Sequence, residues 1–104
     1  MLLVNLPSIP GKNYEILGVC EGACVYSKHF GKDLMAGLKN IVGGELGSYT
    51  EMIEDGKNRA KDKLVKEAMA MGADGVLNVT YSVTNMSQGT AFVILATGTA
   101  VKFV

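Results

Sequence analysis

The spacing of apolar positions changes along the chain, and each regime marks an element. From Tyr14 to Ser27 the run is rich in Ile, Val, Leu, Cys and Tyr, with Gly18 and Gly22 interrupting it as glycines do at bulges or close backbone approaches. This predicts a long, kinked strand. Between Gly31 and Val42 the apolar residues Leu34, Met35, Leu38, Ile41 and Val42 recur at intervals of three and four, and Gly43-Gly44 supplies a left-handed stop, so a short amphipathic helix is expected. Ser48 and Glu51 then form a capping box, in which each side chain accepts a hydrogen bond from the other residue's backbone amide. The long helix it opens has an apolar stripe of Met52, Ile53, Ala60, Leu64, Ala68 and Met71, and Gly72 as its C-terminal cap. Val76 to Val83 is β-branched or aromatic at many positions and reads as a strand, followed by a polar turn over Asn85 to Gly89.

Phe92 to Val104 make the last strand. Its run Phe92-Val93-Ile94-Leu95-Ala96 does not alternate, a pattern suited to a strand covered on one side by a helix and on the other by another subunit. The expected order is therefore β-α-α-β-β, ending in a hairpin. Residues 1–13 contain Pro7 and Pro10 followed by Gly11, which reads as an extended arm suited to adding a short edge strand. The whole of 1–104 forms a single domain, with no internal repeat.

Composition adds a constraint that the pattern alone does not. Hydrophobic residues make up 48% of the chain and charged ones 19%. A subunit this small has one thin core, so it exposes more apolar surface than its polar side chains can cover, and self-association is expected. Ten basic residues balance ten acidic ones, so no net field gathers nucleic acid or anionic lipid, and both are excluded as expected partners. The segment from Met1 to Pro7 has neither a basic leader nor a long apolar stretch, which points to a cytoplasmic protein without a membrane span. Cys20 and Cys24 are too few for a disulfide framework and would remain thiols in a reducing compartment.

Several blocks together resemble one family. Lys32-Asp33-Leu34-Met35-Ala36, Ile41-Val42-Gly43-Gly44, Gly47-Ser48-Tyr49 with Glu51, Gly72-Ala73-Asp74-Gly75-Val76 and Gly98-Thr99-Ala100-Val101-Lys102 are similar, in this order and spacing, to the YbjQ-like family of small bacterial and archaeal proteins. The resemblance implies an α+β, dodecin-subunit-like two-layer sandwich: a three-stranded antiparallel sheet packed by two helices. It also implies a homopentameric ring, and it carries a label of heavy-metal binding. Cys20 and Cys24 stand where the family pattern has small or aliphatic residues, so they inherit no role from it.

Each piece of candidate chemistry competes with a plainer structural reading. The C-x3-C pair Cys20 and Cys24 offers two soft ligands for zinc or copper if it is helical, whereas on a strand four residues span roughly 13 Å, beyond chelating distance. The thiols then serve as small apolar residues, unless copies from neighbouring subunits meet at an interface. His29, the only histidine, has Asp33 four residues on as a potential orienting carboxylate; otherwise it is an exposed loop residue. Gly43-Gly44 through Ser48 forms a glycine-rich turn before a helix, able either to hold an anion or simply to connect two helices, with Tyr49 packing on the sheet or a neighbour. Glu51 lies one turn from Glu54 and Asp55, so these carboxylates are either hard ligands or a solvated first turn. No serine motif, paired-carboxylate pattern or H-E-x-x-H helix is present.

The reading this supports is a non-enzymatic, oligomeric binding protein that holds metal or another small ligand at subunit interfaces. Its candidate ligand-binding residues are His29, Asp33, Gly43, Gly44, Tyr49 and Glu51; an enzyme with an active site shared between subunits around His29, Asp33 and the Gly43 to Tyr49 turn is the alternative, and a scaffold for a protein partner is a third.

Overall fold

The computed structural model describes residues 1–27, 47–86 and 91–104, with side chains described for 1–25, 50–84 and 92–104. Strands β1 (Leu2–Leu3) and β2 (Tyr14–Ser27) are followed by helix α1 (Gly47–Ala70), β3 (Gly75–Met86) and β4 (Ala91–Phe103). The expected helix over Gly31 to Val42 lies outside the described residues, so the architecture they show has one helix.

The sheet departs from the three-stranded antiparallel expectation. It has four strands in the order β1-β3-β4-β2 and is mixed, because the N-terminal arm pairs Leu2 with Gly75 and Leu3 with Val76 in parallel. The arm then continues along β3: the Val4 amide donates to the Val76 carbonyl, the Val79 amide to Val4 and the Asn78 amide to Leu6. Apolar arm residues supply the driving force, and Pro7 and Pro10 fall beyond the paired part, where a missing amide costs no ladder bond. The C-terminal hairpin is longer than its residue pattern suggests. Asn85 pairs with Phe92 and Met86 with Ala91, so two residues assigned to the turn are strand.

Helix α1 begins at Gly47, one residue before the expected cap Ser48, a difference within the usual fraying of helix ends. Its other end is sharply defined. The Gly72 amide donates to Met69 and the Ala73 amide to Ala68, the paired bonds of a Schellman stop, and Gly72 adopts the required left-handed φ of 84°. The face turned to the sheet carries Met52, Gly56, Ala60, Leu64 and Ala68, all buried at intervals of four. Opposite them lie Cys20, Gly22 and Cys24 of β2, Ile94, Ala96 and Ala100 of β4, and Val76 of β3. Three of the helix residues are Gly or Ala, so the helix backbone rides low on the sheet. Leu64 is the largest fully buried side chain at that contact, worth about 1.5–3 kcal/mol by burial alone.

Two glycines in β2 have separate jobs. Gly18, at φ 142°, follows a bulge at Leu17 between the pairs Ile16↔Val101 and Gly18↔Ala100. Gly22 is a close approach: a Cβ there would overlap the Ala60 carbonyl oxygen and the Leu64 amide nitrogen and sit 2.8 Å from the Lys63 Cβ.

The helix covers one face, chiefly β2 and β4, and reaches β3 only around Val76. On the opposite face Val19 and Val25 of β2 are 70% and 55% exposed, beside the half-buried Val93 and Leu95 of β4. The molecule is long, 52 × 25 × 19 Å, as strands of this length dictate at roughly 3.3 Å per residue.

Candidate functional site

Strand β2 is the place where the predicted chemistry and the structure can be compared directly. Cys20 and Cys24 share the helix-facing side of the strand with Gly22 between them, and the backbone of α1 fills the space above that glycine. Both thiols are buried, Cys20 completely, and the Cys20 Sγ lies 3.8 Å from the Gly98 carbonyl oxygen. They are therefore core residues, Cys20 sealed off completely and Cys24 reaching solvent only at the margin of α1.

Electrostatics agrees with packing. Burial pushes the Cys20 thiol above its ordinary value of 9.0, and the negative charge of Glu67 adds to the rise. Burial also raises Cys24, against the opposing pull of Lys63 and Arg59. Each thiol therefore keeps its proton near neutrality, the form least suited to bind metal or attack an electrophile.

The sign of the resulting pH dependence is fixed. A thiol whose pKa is higher in the folded state holds its proton more tightly there, so its contribution is complete below pH 9 and is lost as pH rises past 9 through the folded value. The urea midpoint of the wild-type protein is expected to fall over that window more steeply than that of a Cys20→Ala, Cys24→Ala variant. Parallel curves for the two proteins would remove the thiols from this account.

Of the other expected site residues, His29, Asp33, Gly43 and Gly44 lie outside the described residues, and so does the side chain of Tyr49. Glu51 is exposed on the first turns of α1. Its neighbour Asp55 accepts a 3.0 Å hydrogen bond from the Arg59 Nε in an i,i+4 ion pair whose two side chains are about half exposed, a surface pair worth roughly 0.3–0.5 kcal/mol. Among the described residues, no three His, Cys, Asp or Glu side chains come together as a metal cage.

One feature was not singled out by the residue pattern. Between α1 and β2 runs an open groove of about 410 Å³ lined by Cys24, Val25, Arg59, Asp62, Lys63 and Lys66. The Lys63 Nζ crosses it to donate a 2.8 Å hydrogen bond to the Ala23 carbonyl. Arg59, Lys63 and Lys66 are spaced four and three apart, so they stand above one another on the helix. That spacing was visible, but lysines and arginines of an amphipathic helix read first as its wet side. Nothing in the pattern of α1 shows that the edge of β2 lies beneath them.

No helix among the described residues is long and apolar enough to cross a membrane. Comparison with known proteins adds a lineage. A family model described as "Putative heavy-metal-binding" matches residues 1–104. A UPF0145 protein of Clostridium tetani is 50% identical over 102 residues, covering 98% of this chain and 96% of the relative. An archaeal UPF0145 protein, from Archaeoglobus fulgidus, is 45% identical over 103 residues, with 98% and 94% covered. A solved structure of a protein of unknown function from Pediococcus pentosaceus, assigned to the DUF74 family, superposes with a TM-score of 0.72 at 20% identity over 100% of this chain and 98% of that one, which shows a shared fold. With a family model spanning every residue and relatives near half identity from bacteria and archaea, the chain belongs to the YbjQ-like, UPF0145 family.

Proposed function

We propose that the protein is a non-enzymatic binding protein that works as a closed ring of identical subunits, five in number, and holds a heavy metal or another small ligand where subunits meet. The observation that carries this reading is the bare face of the sheet. Val25 is 55% exposed across from half-buried Val93, Val19 is 70% exposed farther along the same strand across from Thr99, and no described element of the chain lies over them. The continuous apolar run of β4 is explained if both of its faces are covered, one by α1 and the other by a second copy. The description attached to the family supports the metal half of the proposal. Because Cys20 and Cys24 lie beneath α1, ligand contacts fall to groups at the subunit boundaries.

Light scattering of dilute protein is expected to report five times the protomer mass; a single protomer would end the proposal. A thermal-shift panel of monovalent and divalent metals tests the ligand half. A metal held at a hundredfold above its dissociation constant adds about 2.7 kcal/mol of stability. A panel without any shift removes the metal and leaves the ring.

A further inference from the structure

We propose that the groove between α1 and β2 is a binding site for a small, multiply charged anion, a phosphoryl or polycarboxylate compound, held by Lys63, Lys66 and Arg59. The inference is independent of the ring and of any metal, because all the groups it uses belong to one subunit.

Charge comes first. Helix α1 as a whole is balanced, with five basic and five acidic residues. At the groove the balance is broken: among the described lining residues Arg59, Lys63 and Lys66 face one carboxylate, Asp62. Asp55 pairs with Arg59 from one turn earlier, and Lys63 and Lys66 still outnumber Asp62 among the described lining residues. Like charges three and four residues apart on a helix repel by a few tenths of a kcal/mol per pair. A bound anion would relieve that repulsion, while a metal cation would add to it.

Geometry comes second. Lys63 is pinned: its Nζ gives one of three protons to the Ala23 carbonyl at 2.8 Å, which leaves two donors at a fixed point over the strand edge. Lys66 and Arg59 flank it one turn to either side. Among the described residues β2 is the last strand of the sheet, and half of its backbone groups face away from β4 along this side. The floor at Cys24 is apolar and carries a protonated thiol, so it offers no competing negative charge and strengthens the cations above it. A volume of about 410 Å³ suits a small metabolite rather than a polymer.

The test uses the intact protein with inorganic pyrophosphate and citrate as probes, by titration calorimetry and by lysine acetylation with acetic anhydride read by mass spectrometry. Binding by at least one probe is expected, weakened about tenfold in a Lys63→Gln, Lys66→Gln variant, since each lysine makes a charge-assisted contact. The bound probe should slow acetylation of Lys63 and Lys66 and leave Lys12 and Lys102 unchanged. Arg59→Gln gives a second weakened variant with both lysines in place. Which probe binds more tightly tells phosphoryl from carboxylate ligands. The site is refuted by no heat and no protection at millimolar probe, by undiminished affinity in the variants, by protection spread evenly over all lysines, or by zinc protecting Lys63 and Lys66 as well as the anions do.

Discussion

Replacing Gly22 with valine is expected to destabilise the protein by about 3 kcal/mol or more, the upper end for overpacking. The reason is that the atoms in the way are backbone. A Cβ at this position would run into the Ala60 carbonyl oxygen and the Leu64 amide nitrogen. Neither can turn aside as a side chain does, so α1 must rise off β2. Lifting it opens the seam over Cys20, Cys24 and Leu64, which all belong to the buried core. Even Gly22→Ala places the offending carbon.

Gly98 makes an instructive comparison. Its added Cβ meets a methyl group of Val76 and the Leu77 carbonyl at 3.1 Å, so a side chain can absorb part of the strain. Alanine at Gly98 should therefore cost less than alanine at Gly22. Urea denaturation of the two variants decides the matter, and the reverse order of midpoints would mean that the helix has freedom to move that this packing denies.

This contact also shows what the residue pattern conveys and what it hides. Glycine in the middle of an apolar strand signals either a bulge or a close approach, and β2 contains one of each. Choosing between them needs the partner, and the partner is a stretch of α1 some 40 residues away in sequence. The helix stripe itself was legible because it depends on local periodicity. Met52, Ala60, Leu64 and Ala68 are buried as their spacing requires, and only Gly56, which carries no hydrophobic side chain to flag it, was overlooked. Gly72 was legible for the same local reason: a left-handed stop is a property of a few consecutive residues.

Long-range pairing was harder to read. That the arm lies parallel to the start of β3 depends on amide-to-carbonyl bonds such as Val4 to Val76, to which side-chain patterns are blind. The cationic groove is a stronger case of the same limit, since a helix stripe becomes a site only through the strand edge that closes it. For the cysteines, the strand assignment argued against chelation in one subunit, and the structure agrees: α1 covers Cys20 completely and leaves Cys24 only at the floor of the groove beside it.

The bare face of the sheet leads to the second large effect. If the subunits associate as proposed, introducing lysine at both Val19 and Val25 is expected to convert that assembly to single subunits at micromolar concentration. In an isolated subunit these side chains are mostly exposed, at 70% and 55%, and exposed substitutions on a strand usually change stability by no more than about 0.5 kcal/mol each. In the proposed ring they would sit against a second copy, where two buried and unpaired ammonium groups per subunit would cost several kcal/mol at every interface. The two situations differ in kind, so the measurement is decisive. Light scattering should show the variant at protomer mass, and its melting temperature should lack the dependence on concentration that the proposed assembly would confer on the wild type. The partners of these residues make the direction of the effect specific. Val25 lies opposite Val93 and Val19 opposite Thr99, so each lysine projects from the face that β4 shares and that α1 leaves uncovered. A variant that keeps the assembled mass would place the subunit contact elsewhere and leave the apolar run of β4 without an explanation.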